Sequence, residues 1–417
     1  MRALLALALA VGLTAAVENA GTERVGVERA ALENVDEDRN PKNDPETCPY
    51  CANDPELMAA AGIVSHGGFE FGRTDTDGID DLMASNDIRW IETPHFEIGF
   101  GGPPYKPKAK ERKALTAELT ELAKALPEIK PKTRTLDPWL RAHMYAARSE
   151  QIWDRFLEIM QVEESDFPDG TTLWDGTGEY RGEGPYLGQK GKYELLILPG
   201  EGDLVAYIRD QYGLTTNLTS RWNNIERDSI VVTMHLADGD LKKDTALHGH
   251  VAFNLAHNLL DGFEHYSYDT PIWIHEGLAH YFEREVSPLY NSFDGSEGGI
   301  PIRTNEDDWE GEAEDLARSG EASRMAQLMR LQTYSDMSLE DHFTTWSMVK
   351  FLIEEHPDFF AGLNKELHGR MDASGVVDSQ NLGDVHREYF KEHLGMSYIQ
   401  FDEAWRNWVL GIEPDEE

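Results

Sequence analysis

Two cysteines, Cys48 and Cys51, are all that 417 residues contain. No disulfide framework can therefore hold this fold together, and a hydrophobic core has to. The material for one is present: 40% of the residues are hydrophobic and 10% aromatic, which excludes wholesale disorder. At roughly 150 residues per domain, the length predicts two domains and an extension. Asp and Glu number 77 against 38 Lys and Arg, a formal charge of −39. A field of that sign repels phosphate backbones and anionic lipid headgroups, so neither nucleic acid nor a membrane surface is an expected partner.

The first 20 residues read as an export signal. Arg2 supplies the positive end, Ala3 to Leu13 an apolar run, and Thr14, Ala15, Ala16 and Ala20 the small residues of a cleavage region. The run falls short of the ~20 apolar residues a membrane span needs, and no later stretch supplies them. A protein exported to the periplasm or the exterior, soluble once cleaved, is expected. Residues 21–87 form an acidic lead-in. From Val17 to about Glu56 it shows neither helical nor strand period and is expected to be extended or disordered. Cys48-Pro-Tyr-Cys51 is similar to the active motif of glutaredoxins. A redox site, however, needs its first Cys at a strand-to-helix junction, and Asn40 to Glu46 is no strand. Two readings stay open: a local disulfide, or half a zinc site completed by a distant histidine such as His66. The glycine-rich Gly62–Gly72 lacks the Gly-Lys-Ser/Thr of a phosphate loop.

Residues 88–243 read as an α+β domain. Arg89 to Gly99 alternates like one strand, with Pro94 at an edge or bulge. Leu115, Leu119, Leu122 and Leu126 set a helical period over Lys110 to Leu126, and Asp137-Pro138 opens a second helix running to Val162. Lys192–Leu198 and Asp228–His235 are strand-like, with a short helix between them from Asp203 to Gly213. Gly170 to Gly191 reads as a long surface loop.

Residues 244–417 read as mainly helical. Asp244 to Leu260 is a helix candidate capped by Asp244 or Thr245, and Thr270 to Glu283 is a second, with Pro271 near its start. The phrase Pro271-Ile-Trp-Ile-His-Glu-Gly-Leu-Ala-His-Tyr-Phe-Glu283 resembles the second helix of gluzincin metallopeptidases, most closely their peptidase MA-like branch. The resemblance runs over roughly Ile230 to Val409. It takes in His342–Leu352 and Ile399–Trp408, which look like the helices that close that branch's C-terminal domain. It implies a zincin-like α+β fold, zinc as cofactor, a peptide or protein ligand, and Glu276 as third zinc ligand. It also implies that the Ser229–His235 strand lies beside the first helix, edging the cleft.

The departure from the family is at the motif itself. Where the family has His-Glu-x-x-His on its first helix, this chain has Phe253-Asn254-Leu255-Ala256-His257. The second histidine is kept, the first ligand is Phe253, and the general base is Asn254. An amide cannot take a proton from a metal-bound water, so conventional peptide hydrolysis is not expected. Other donors are available. His250 precedes His257 by two helical turns, and His280 follows Glu276 by one. His250, His257, Glu276 and His280 are therefore the candidate ligands of a remodelled zinc site; the competing reading is core-satisfied histidines on a fold without metal. His275-Glu276-Gly-Leu-Ala-His280 also resembles the His-Glu-x-x-x-His motif of the dipeptidyl peptidase III family, in which Glu276 would be the base. That arrangement requires a π-bulge to bring positions i and i+5 together. The expected function is thus a metallohydrolase-fold protein that acts on or binds peptide, with a metal-free binding scaffold as the alternative.

Overall fold

In a computed structural model, residues 44–83, 87–164, 191–224, 227, 229–263, 270–293, 303–304, 308–368 and 380–412 are described. All lie in the compact unit Pro41–Glu417. The expected export signal, the first part of the lead-in and most of the 170–191 loop lie outside the described residues.

The chain begins with a short helix α1 (Pro55–Ala60), a two-residue hairpin β1 (Glu70–Phe71) and β2 (Thr74–Asp75), and helix α2 (Thr76–Leu82). Then follow β3 (Arg89–Glu92), β4 (Phe96–Phe100), α3 (Arg112–Ala125), α4 (Pro138–Met160), β5 (Tyr193–Leu198), α5 (Glu201–Tyr212), β6 (Ser220–Asn224) and β7 (Ser229–His235). The rest is mostly helical: α6 (Asp244–Gly262), α7 (Ile272–Val286), a small β8 (Asn291–Ser292) and β9 (Arg303–Thr304) pair, α8 (Trp309–Ser319), α9 (Met325–Leu328), α10 (Leu339–Glu355), α11 (Pro357–His368), α12 (Leu382–Tyr389) and α13 (Tyr398–Val409). The fold is α+β, with a helical C-terminal region. Among the described residues no helix is long and apolar enough to cross a membrane.

Five strands form one sheet in the order β3-β4-β5-β7-β6. The middle three are parallel, and β3 and β6 flank them as antiparallel edges. Parallel strands covered on both faces must be apolar along their whole length, and β5 and β7 are buried at every position. The two-residue period then divides β5 between two cores. Leu195 and Ile197 enter the main core with α4, α6 and α7, whereas Leu196 and Leu198 pack with Ile79, Leu204, Tyr207 and Ile208 of α2 and α5. The main core runs without a break from Cys48 through Leu260 to Trp405.

Two expectations are corrected. Arg89–Gly99 is not one strand with a bulge: β3 and β4 form an antiparallel hairpin closed by Thr93, whose amide donates to the Phe96 carbonyl and whose hydroxyl accepts from the Phe96 amide across Pro94-His95. Proline has no N–H for a ladder, so the chain turns where the donor is missing. Nor is the end of the lead-in extended or disordered. Cys48, Tyr50 and Cys51 are buried, and Asp54 caps α1 through the amides of Glu56 and Leu57.

Candidate metal centre

Helix α6 enters the core on a buried charge. Arg148 of α4 donates to both carboxylate oxygens of Asp244, at 3.2 and 2.8 Å, and to Glu118 of α3 at 2.7 and 2.8 Å. Burial alone would raise the Asp244 carboxyl, but the Arg148 charge outweighs it and holds the group below the usual range. Helix α7 packs against α6 on one side and α10 on the other. Gly277 permits the second approach, since a Cβ there would stand 2.7 Å from the Thr345 carbonyl oxygen of α10.

These three helices gather Glu276, His280 and His342, whose donor atoms all lie within 4.8 Å of one another, with His257 against the other oxygen of the Glu276 carboxylate. Glu276 Oε1 lies 3.1 Å from His257 Nε2. Its Oε2 lies 3.4 Å from His342 Nδ1 and 3.6 Å from His280 Nε2, and the two imidazole nitrogens are 3.1 Å apart. Burial pushes His257, His280 and His342 below the ordinary histidine value; the Arg221 charge adds to this at His257, and His342 adds to it at His280. The rings are thus held neutral, the form that offers a lone pair to a cation. His257 is 1% exposed in its side chain; its Nε2 faces the Glu276 carboxylate, and among the described residues its Nδ1 has no hydrogen-bond partner. A buried imidazole left in this way fits a metal ligand better than a core-satisfied histidine. Zinc suits the set of one carboxylate and two imidazole nitrogens, with His257 beside it on α6.

The flanking groups fix the orientation. Glu283, buried one turn beyond His280, lies 3.4 Å from His280 Nδ1. It accepts from Ser292 through both the backbone amide, at 2.9 Å, and the hydroxyl. The Ser292 hydroxyl meets His250 Nδ1 at 2.8 Å, and His250 Nε2 meets the Thr219 hydroxyl at 2.8 Å. A polar chain thus runs from the donor cluster to the residue preceding edge strand β6.

Of the candidate ligands read from sequence, the structure brings together His257, Glu276 and His280. His250 is held apart between two hydroxyls. His342 joins the cluster although its sequence neighbourhood reads only as part of an apolar helix. Phe253 is buried against the site, its ring centroid 4.9 Å from that of His257 and 5.1 Å from that of His280. Asn254 is pinned: Arg221 of β6 donates to its Oδ1 at 2.9 Å, and its amide donates to the His250 carbonyl at 2.8 Å. His275 faces elsewhere, meeting the Thr270 hydroxyl and lying 3.6 Å from Asp261. Helix α7 is a regular α-helix from Ile272 to Val286, without the π-bulge that a His275–His280 ligand pair requires.

Comparison with known proteins gives no match, either to a family model or to a curated protein. The roles of these residues rest on their chemistry and placement.

Proposed function

We propose that this chain is an exported, zincin-like protein that binds peptide or protein segments without hydrolysing them, and that it holds a zinc ion on His257, Glu276, His280 and His342. The observation that carries the reading is the state of Asn254. It stands where the family's general base belongs, its oxygen is held by Arg221, and an amide has no proton-accepting chemistry to offer. When bound, zinc would supply cross-linking of α6, α7 and α10 rather than a nucleophile.

Ligand binding falls to the sheet edge. Strand β6 is antiparallel and outermost, and an extended segment added beside it would run past Arg221, the residue that holds Asn254. Export is supported by the apolar Ala3–Leu13 run behind Arg2.

The test uses the full chain. Metal analysis after dialysis should find zinc that is lost from His257→Ala and His342→Ala but kept by His275→Ala. A mixed peptide library followed by mass spectrometry should show bound peptides and no cleavage. Cleavage that disappears in Glu276→Gln would overturn the reading. Metal-free wild type under zinc-replete conditions would leave only the binding scaffold.

A further inference from the structure

We propose a second zinc site, independent of the first, formed by Cys48, Cys51, His66 and His143. Their donor atoms all lie within 4.8 Å of one another, and three of the four residues are buried. Cys48 Sγ is 3.0 Å from His143 Nε2, and Cys51 Sγ is 3.1 Å from His66 Nε2. Zinc bonds of ~2.3 Å to sulfur and ~2.0 Å to nitrogen set tetrahedral sulfur–nitrogen separations of about 3.5 Å, so a shift of a few tenths of an ångström completes the coordination.

The surroundings are those of a metal knuckle. The Tyr50 amide points at Cys48 Sγ at 3.4 Å, and the chain leaves the Cys-Pro-Tyr-Cys turn through Ala52 and Asn53, both in the left-handed region at φ 49° and 56°. That bend folds both sulfurs to one side. His66 Nδ1 meets the Trp90 carbonyl at 3.0 Å, which places the proton on Nδ1 and leaves Nε2 as the lone-pair nitrogen facing Cys51. Tyr50 donates to Asp137, the cap of α4, and so ties the turn to the helix that carries His143.

Binding of a zinc dication would release the two thiol protons and leave two thiolates and two neutral imidazoles around it. The site is then uncharged overall, as a buried site has to be. It fastens residues 48–66 to α4 and to the start of the sheet, which accounts for order in a stretch whose composition predicts none.

Cobalt(II) reconstitution of the full chain tests this, because thiolate ligands give near-ultraviolet charge-transfer absorption that a histidine–carboxylate site cannot. Wild type should show the band; Cys51→Ser should lose it, and the double variant His257→Ala/His342→Ala should keep it. Zinc analysis should fall by one equivalent in Cys51→Ser and in His143→Ala. If those variants fail to fold, the wild-type spectrum and the intact mass decide. A Cys48–Cys51 disulfide in the purified protein, a wild type without the band, or a band that survives Cys51→Ser overturns the proposal.

Discussion

Gly277 sets two opposing effects against each other beside the candidate ligand Glu276. In mid-helix, Gly→Ala gains about 1 kcal/mol of helix propensity. At this position the new Cβ would stand 2.5 Å from Val349 Cγ2 and 2.7 Å from the Thr345 carbonyl oxygen. A valine methyl can turn away, but a backbone carbonyl moves only with its helix, so α10 has to be displaced. Overpacking of this kind costs about 1–3 kcal/mol, and the net expectation for Gly277→Ala is a loss of up to about 2 kcal/mol. The displacement also draws His342, one turn before Thr345, away from Glu276 and His280, so metal retention should fall in the same variant. Gly249 of α6 is the control. Its added Cβ would meet Glu283 Cγ at 3.4 Å, an ordinary contact, so Gly249→Ala should be more stable than wild type by about 0.5–1 kcal/mol. Urea titration compares the midpoints at a common slope. A Gly277→Ala variant as stable as wild type, with its metal kept, would refute the claim that this glycine sets the α7–α10 approach.

Two electrostatic variants test the charges beneath the site. Arg148→Met leaves the buried Asp244 carboxylate unpaired and should cost about 3–5 kcal/mol near pH 7. Because the folded-state carboxyl is depressed, the pair's contribution is present above the ordinary Asp value of about 3.9 and fades as pH falls below it. The gap between variant and wild type in urea should therefore narrow near pH 3; a gap constant with pH would contradict this. Glu194 of β5 shows the opposite sign: burial, partly offset by Arg227, pushes its carboxyl up to about 8. Its contribution is full below the ordinary Glu value of about 4.3 and is lost as pH rises through about 8, so Glu194→Gln should flatten the fall in Tm across that window. Parallel Tm profiles for variant and wild type would count against it.

What the sequence discloses depends on how local the cause is. Helix α4 was legible because Asp137 and Pro138 announce its start, and β5 and β7 because strands covered on both faces must be apolar throughout. His257, Glu276 and His280 stood out because their spacings place each on a helix face shared with a partner. His143 and His342 carry no such mark. Each is the single histidine of its helix, paired with donors 95 and 62 residues away. Their partners are set by the way α4 crosses the knuckle and by the way Gly277 admits α10, which are facts of packing and not of spacing. The 44–56 segment misled for the same reason. Its Pro, Asn and Asp content describes its local backbone preference, while its order comes from thiols and rings seated on a distant helix.

Under the proposed function, the α6 residues Phe253 and Asn254 fit their surroundings when taken together. A buried zinc on one carboxylate and three neutral imidazoles would keep a residual positive charge, and the interior tolerates that only with a counter-charge close by. Glu283 stands in that place, 3.4 Å from His280 Nδ1 and braced by Ser292. A glutamate at position 254 would add a further negative charge beside Arg221 and compete for it, whereas Asn254 accepts the same guanidinium without charge. Phe253 fills the space between His257 and His280 with apolar surface. Under the proposed function, Asn254, Arg221, His342 and Glu283 together suit a centre that holds an ion.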